Sequence, residues 1–221
     1  MSEQTTQENK NRKTEAETRT AVKNGENIQE TVRNITLKAM STGHLDLQKM
    51  REIVQVVLQG ASLGVKEKGK NTEQSLQEAM AGVDEALAKS AEASKLAIEE
   101  AASHIREFGA HDFKRAMDDL LVLEDMFLDT VKNIAKTSDG ATRDVLGDLA
   151  QHGRNTGTTT GKTVKKVVET LTRQLEQNMK ESVNTGADKA LKLGEHLAQA
   201  TAGFLQGIAE TLMKTGNNKK E

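Results

Sequence analysis

Residues 72–108 read TEQSLQEAMAGVDEALAKSAEASKLAIEEAASHIREF, and this stretch decides the fold class. Its apolar and small residues recur at intervals of three or four, from Leu76 through Ile98 to Phe108. The mean spacing is about 3.6 residues, the period of an α-helix, so we predict a long helix with one apolar face. Asn71 or Thr72 is placed to cap the start of this helix.

The composition of the whole chain favours helices as well. Its 221 residues include no Pro, Trp, Tyr or Cys. Because proline breaks helix interiors, its absence favours long uninterrupted helices, and without Cys there are no disulfides or cysteine nucleophiles. The apolar faces are built from small and aliphatic side chains, which bury less area than large rings. We therefore predict an all-α fold, with long amphipathic helices in an elongated helical bundle or coiled-coil-like arrangement.

The ends of the chain and one internal stretch lack a clear apolar period. Residues 1–27 are polar and charge-mixed, which predicts a disordered N-terminal arm, and residues 214–221 are predicted to be a disordered tail. Residues 152–162 are rich in Gly and Thr and are predicted to be a flexible loop. A long C-terminal helix is predicted over 163–213, with Gly186 as a point where it could break.

The region 28–151 is predicted to be helical, with several interruptions. Asp46 is a plausible N-cap, and Gly60, Gly64 and Gly69 predict the end of the helix that follows it. The resulting helices of this region are placed at about 28–40, 46–64, 72–108, 112–136 and 141–151.

The formal net charge is only −2, but the charge is unevenly distributed. Residues 73–129 contain 14 acidic and 5 basic residues, whereas residues 151–221 contain 11 basic and 7 acidic residues. These opposite charges favour antiparallel packing or head-to-tail association. The basic part lacks interleaved aromatic residues, so we predict no nucleic-acid partner.

Hydropathy bounds the location of the protein. No apolar run approaches the ~20 residues that span a bilayer, so no transmembrane insertion is predicted. The first residues, MSEQTTQENKNRK, contain no apolar signal region. We expect a cytoplasmic location, in which the protein could associate with a storage granule.

The segment Gly157–Thr163, with the sequence GTTTGKT, resembles a phosphate-binding P-loop ahead of a helix. The P-loop pattern needs four residues between its glycines, and three stand between Gly157 and Gly161. No hydrophobic strand precedes it, since residues 144–151 have a helical pattern. We therefore interpret the segment as part of the interhelical loop.

A second constellation combines carboxylates and imidazoles at helical spacing: Glu100, His104, Glu107 and His111. Di-iron helical bundles use Glu-x-x-His, whereas this row has Glu-x-x-x-His, so we interpret it as a solvated flank. No Ser/His/Asp pattern is present either. We predict no enzymatic activity, no cofactor and no metal site.

The apolar stripes are the feature on which a function can be based. Burying one such stripe against another surface, at about 25 cal/mol per Å² of apolar area, would contribute several kcal/mol per helix. We predict an apolar interaction face formed by Leu76, Met80, Val83, Leu87, Ile98, Ile105, Phe108, Phe113, Met117, Leu120, Phe127, Val131, Ile134, Val164, Leu171, Leu175, Met179, Leu197, Phe204, Ile208 and Leu212.

Two segments, Glu85–Ala97 and Leu123–Thr130, carry a resemblance to known sequences. Through them, the stretch Ile28–Leu212 resembles an uncharacterised family of Ala-rich helical bacterial proteins, which implies a fold but no activity. In composition, the chain resembles phasins, the amphipathic-helix proteins that coat polyhydroxyalkanoate granules. Its Ala/Glu/Lys-rich helices also resemble late-embryogenesis-abundant stress proteins.

Three functions follow as hypotheses. The first is a non-enzymatic protein that coats an apolar or interfacial surface, such as a polyhydroxyalkanoate granule. The second is a self-associating helical scaffold or partner-binding adaptor, in which the same faces are buried between subunits. The third is a stress protectant, which should be largely disordered when dilute.

Overall fold

The computed structural model describes residues 3–41, 47–104 and 117–185, with side chains over 5–41, 47–96 and 117–174. Every regular element in these ranges is helical, which confirms the predicted all-α fold. None of the helices there combines the length and apolar character that crossing a bilayer demands. The helices are α1 (Glu3–Asn24), α2 (Ile28–Met40), α3 (Leu47–Lys68), α4 (Thr72–His104), α5 (Leu123–Thr137), α6 (Gly140–Thr156) and α7 (Thr159–Thr185).

The prediction of a disordered arm over 1–27 is wrong for the residues that form α1. This helix is polar along most of its length, but Thr18 and Val22 are fully buried against α3. Two glycines of α3 permit the close approach: a Cβ built at Gly60 would lie 2.5 Å from the carbonyl oxygen of Glu15. The small buried surface of α1 thus packs on a surface of α3 that glycines keep free of side chains. Hydropathy alone does not predict such an interface.

The end predicted for the second helix at residue 64 is also wrong, because α3 continues to Lys68. Gly60 and Gly64 lie inside this helix and face α1, where a Cβ at Gly64 would lie 2.6 Å from the carbonyl oxygen of Arg19. These glycines allow the backbones of two helices to come into contact, and they do not end the helix. Gly69, in contrast, does follow the last residue of α3.

The first four helices form two hairpins that repeat with a spacing of 44 residues. Helices α1 and α3 each have 22 residues. Each is followed by Gly-x-Asn with both named residues in left-handed backbone conformation: Gly25 (φ 76°) and Asn27 (φ 46°), then Gly69 (φ 68°) and Asn71 (φ 54°). Gly and Asn are the residues that adopt this conformation most readily, so the same corner is built twice.

The backbone hydrogen bonds of the two corners repeat with the same spacing. In each, the glycine N–H donates to a carbonyl four residues earlier, and the asparagine carbonyl accepts from four residues later. The pairs are Gly25 to Ala21 (3.1 Å) and Thr31 to Asn27 (2.9 Å), then Gly69 to Val65 (3.0 Å) and Ser75 to Asn71 (3.0 Å).

Equivalent helices of the two hairpins pack on each other in parallel, α1 on α3 and α2 on α4. Gly60 of α3 lies beside Thr18 of α1. Four residues further along both helices, Gly64 lies beside Val22. Helices α5 and α6 form a third hairpin, with α5 on α3 and α6 on α4. The described residues therefore form a stack of helical hairpins, with α3 and α4 at its centre.

The core of this stack is made of aliphatic residues and contains one large ring. Its largest fully buried side chains are Phe127, Ile28, Leu58, Leu76, Leu87, Leu128, Leu146 and Leu171. Five buried hydroxyls fill gaps between them, and each of the five donates to the carbonyl four residues earlier in its own helix. These hydroxyls belong to Thr18, Thr36, Ser62, Ser90 and Thr130.

Two predicted boundaries in the second half need correction. The loop predicted over 152–162 is largely helical: α6, predicted to end at residue 151, continues to Thr156, and α7 begins at Thr159. The helix predicted over 112–136 is interrupted by a turn at Val122, which separates a helical stretch at 117–121 from α5. Asp46, Gly186, residues 105–116 and the tail at 214–221 lie outside the described residues.

Candidate functional site

The predicted apolar interaction face is, where the structure describes it, the interior of the bundle. Its described members lie against one another between the helices, so in the described part of the chain these positions are covered by helices of the same chain. Those buried are Leu76, Met80, Val83, Leu87, Leu120, Phe127, Val131, Ile134, Val164 and Leu171, and Met117 is partly buried. Outside the described side chains are Ile98, Ile105, Phe108, Phe113, Leu175, Met179, Leu197, Phe204, Ile208 and Leu212.

The P-loop-like segment forms the corner at which α7 begins. The backbone N–H groups of Thr159 and Thr160 donate to the two carboxylate oxygens of Asp84, each at 2.8 Å. The hydroxyl of Thr160 donates to the Asp84 carbonyl at 2.9 Å. A carboxylate of α4 thus occupies the end of α7 at which a phosphate would bind.

A second carboxylate completes this corner. Glu124 accepts hydrogen bonds from the N–H and the hydroxyl of Thr158, both at 2.8 Å. The Thr158 hydroxyl in turn accepts from the N–H of Gly161 at 2.9 Å, as an N-cap residue does. Four consecutive N–H groups, from Thr158 to Gly161, are therefore bound within the protein. The corner is a structural lock between α4, α5 and α7, and it has no free donor for a nucleotide phosphate among these four.

Two further carboxylates tie the first hairpin to the second. Glu67 of α3 pairs with Arg19 and with Lys23 of α1, the latter at 3.1 Å. The hydrogen bonds from Arg19 and Lys23 hold the pKa of Glu67 below its usual value. Because these pairs are exposed, their contribution to stability is small.

A similar pair joins α2 to α4. Arg33 donates to Glu85 at 3.0 Å. Partial burial raises the pKa of Glu85, but the hydrogen bond and charge of Arg33, with the charge of Lys89, outweigh burial and hold that pKa below its usual value. The carboxylate therefore stays ionised while it bridges two stacked hairpins.

An exposed apolar patch lies on the mostly polar exterior of the described residues, which also exposes the separate side chains of Leu63 and Leu96. Leu121 is 53% exposed and Val122 is 41% exposed, and they are adjacent in the chain at the turn before α5. Asp118 and Asp119, one turn earlier, are exposed and make no ion pair within the described ranges. We call these four residues the acidic–apolar patch. Sequence periodicity did not find it, because an unbroken helix was predicted through residue 122.

The first turns of α7 carry a basic surface. Lys162, Lys165 and Lys166 are exposed, opposite the buried Val164 and Val167, and we call these three lysines the lysine face. None of the three makes an ion pair with another residue that the structure describes. Their positive charges are therefore uncompensated within this part of the chain.

The described side chains offer no metal centre. In that part of the protein, no three His, Asp or Glu residues come together as metal ligands would. The side chains of the row Glu100, His104, Glu107 and His111 lie outside the described residues.

The fold and the site together define a class: an all-α protein of stacked helical hairpins with polar outer surfaces and salt-bridged interfaces. The chain belongs to the DUF6781 family, a family of unknown function whose sequence profile matches residues 4–214. Comparison with curated proteins and with solved structures finds no match. Membership of an uncharacterised family, expected from Glu85–Ala97 and Leu123–Thr130, is thus confirmed.

Proposed function

We propose that the protein is a non-enzymatic helical scaffold that acts by associating with further copies of itself. The stripes of α4, α5 and α7 are buried, where the structure describes them, in one intramolecular core, so the observation that carries the proposal is the exposure of the acidic–apolar patch and the lysine face. The chain therefore folds into a preformed body and does not need a foreign surface to cover these stripes. What such a body offers to other molecules is its outer surface.

Repeat architecture supports a scaffold function. Stacked helical hairpins contact mainly their neighbours in the stack, and such stacks serve as extended surfaces for protein contacts. The acidic–apolar patch and the lysine face lie on this outer surface. Exposed apolar residues bordered by charge are typical of sites where proteins associate.

The test of self-association is the mass of the purified chain in solution. Light scattering after gel filtration, across a range of micromolar concentrations, is expected to give a mass above that of one chain. The mass should rise with concentration towards a fixed multiple. A mass of one chain throughout would contradict the proposal.

A second candidate function is the coating of an apolar surface such as a storage granule. It rests on the amphipathic stripe predicted from sequence at Leu175, Met179, Leu197, Phe204, Ile208 and Leu212, whose side chains lie outside the described ones. Co-sedimentation of the protein with polyhydroxyalkanoate particles tests this candidate. Deletion of residues 186–221 is expected to abolish sedimentation, and sedimentation of neither form would refute it.

A further inference from the structure

We propose that the acidic–apolar patch of one chain binds the lysine face of a second copy, and that two such contacts build a symmetric dimer. This inference rests on the proposed self-association and specifies the surfaces involved. It is carried by three observations: the exposure of the patch, the charges on both surfaces that form no ion pair with a described residue, and the closeness of the two segments that carry them.

The patch has the chemistry of an incomplete interface. Leu121 and Val122 expose about half of their surfaces, although the large aliphatic side chains of α5, which follows them, are buried. The turn at Val122 interrupts the helix there, and both residues are exposed. Asp118 and Asp119 add two negative charges beside them. A partner that complements this surface would therefore combine apolar side-chain carbons with positively charged groups.

Lysine side chains have that combination. Each has a four-carbon stem that can lie along an apolar surface and an ammonium group that can reach a carboxylate. Lys162, Lys165 and Lys166 present three such side chains on adjacent turns of one helix. Laid across Leu121 and Val122, their stems would cover apolar area while their ammonium groups approach the two aspartates.

Two contacts place these surfaces next to each other within one chain. Near the start of α7, Glu124 binds Thr158; further along α7, the Thr172 hydroxyl lies 3.7 Å from the sulfur of Met117. The stretch from Met117 to Glu124 therefore runs beside the first turns of α7. The acidic–apolar patch belongs to the first of these two neighbouring segments, and the lysine face belongs to the second.

Neighbouring surfaces of opposite charge favour a two-fold arrangement. Rotation of a second copy by half a turn about an axis between these two segments brings its lysine face onto the first patch, and its patch onto the first lysine face. The interface then repeats each contact twice and closes at two chains. Because both charged surfaces meet partners, the pairing also excludes like-charge contacts.

Charge reversal tests the pairing. One variant is K162E/K165E/K166E, and the other is D118K/D119K. Each alone is expected to run as a single chain in light scattering and sedimentation velocity, since like charges then face each other across the interface. Mixed in equal amounts, the two variants are expected to regain the two-chain mass, because each supplies the charge that the other has lost.

Two controls accompany the reversal. K10E/K13E reverses two exposed lysines of α1, which make no ion pair with described residues, and is expected to retain the mass of two chains. Circular dichroism of every variant checks that helicity is unchanged. L121Q/V122Q, which keeps all charges, is expected to weaken association by roughly tenfold or more.

The outcomes separate the interface from the function. A wild-type chain of single mass at every concentration overturns both proposals. A wild-type dimer that persists in both charge-reversal variants overturns the interface and leaves self-association standing. A monomeric wild type that sediments with anionic lipid vesicles through its lysines would also overturn the interface, and would assign the lysine face to a lipid surface.

Discussion

Thr160 is bound to Asp84 twice: its N–H donates to the carboxylate at 2.8 Å, and its hydroxyl donates to the backbone carbonyl at 2.9 Å. The two residues are 76 positions apart, so this contact fixes the start of α7 on the middle of α4. Because the first N–H groups of a helix have no partner within the helix, a carboxylate placed there is well suited to hold it.

Removal of the Asp84 carboxylate should therefore destabilise the fold. Asp84→Ala leaves the N–H groups of Thr159 and Thr160 without their charged acceptor, and we expect the free energy of unfolding to fall by about 1.5–3 kcal/mol. Urea unfolding followed by circular dichroism measures the change. Asp148→Ala removes an exposed carboxylate of α6 that makes no ion pair with described residues and serves as the control. Equal midpoints for the two variants would contradict the role of Asp84.

The glycines of α3 provide a second prediction. A Cβ at Gly60 would lie 2.5 Å from a backbone oxygen of α1, so Gly60→Ala must displace that helix. We expect the free energy of unfolding to fall by about 1–3 kcal/mol, because overpacking of a tight interface is destabilising. Gly147 of α6 has nothing within 4 Å of its Cβ position. Gly147→Ala should instead stabilise by up to about 1 kcal/mol, because alanine favours helix interiors.

The critical result is that, in the same unfolding assay, Gly60→Ala lowers the free energy of unfolding and Gly147→Ala raises it. If Gly60→Ala is neutral or stabilising, α1 does not lie on α3 as closely as the structure shows.

The packing of α1 provides a third prediction. Val22 is fully buried, and Val22→Asp would place an unpaired charge between α1 and α3. We expect a loss of several kcal/mol, or detachment of α1. Hydrogen exchange of the amides of α1 distinguishes these results, since a detached helix exchanges rapidly. Thr20→Asp, at an exposed position of the same helix, should leave exchange unchanged. Rapid exchange of α1 in the unaltered protein would show that it is not docked.

The pH dependence of stability follows from the two bridging glutamates. In the folded chain the pKa values of Glu67 and Glu85 lie below the reference value of 4.5. Their contribution is therefore fully present above pH 4.5 and is lost as the pH falls through the lowered pKa values. Unfolding at a series of acidic pH values should show this loss. The double variant E67Q/E85Q should lose less stability on acidification than the unaltered protein.

Glu73→Gln, at an exposed residue without an ion pair in the described part of the chain, should leave the acid dependence unchanged. An acid dependence that is the same in E67Q/E85Q would show that the two bridges do not couple folding to pH.

The sequence predicted the parts of the fold that hydrophobic periodicity controls. The all-α class followed from the spacing in residues 72–108 and from the absence of proline, and α2 has the bounds 28–40 that its stripe predicted. Periodicity failed where burial depends on small residues. In α1 the interface is made by Thr18 and Val22 against glycines, and such a surface has almost no apolar signal.

The candidate surfaces were predictable only in part. The stripe residues were identified correctly as apolar positions, but a stripe has the same pattern whether another helix of the chain or a second molecule covers it. The acidic–apolar patch depends on the turn at Val122, and no glycine or proline marks that turn in the sequence. The sequence did not predict the hydrogen bonds that hold the start of α7. Their acceptors, Asp84 and Glu124, are far from Thr158 and Thr160 along the chain.

The 44-residue spacing of the hairpins has a consequence for biosynthesis. Of the two stacked hairpins, the one formed by α1, its corner and α2 is translated before the other, and α1 and α2 pack more extensively on α3 and α4 than on each other. The docking platform of this hairpin is the segment translated next, and the parallel stacking places each new helix beside the equivalent one already made. We therefore expect the hairpin of α1 and α2 to gain most of its packing only after about one further 44-residue unit has been translated.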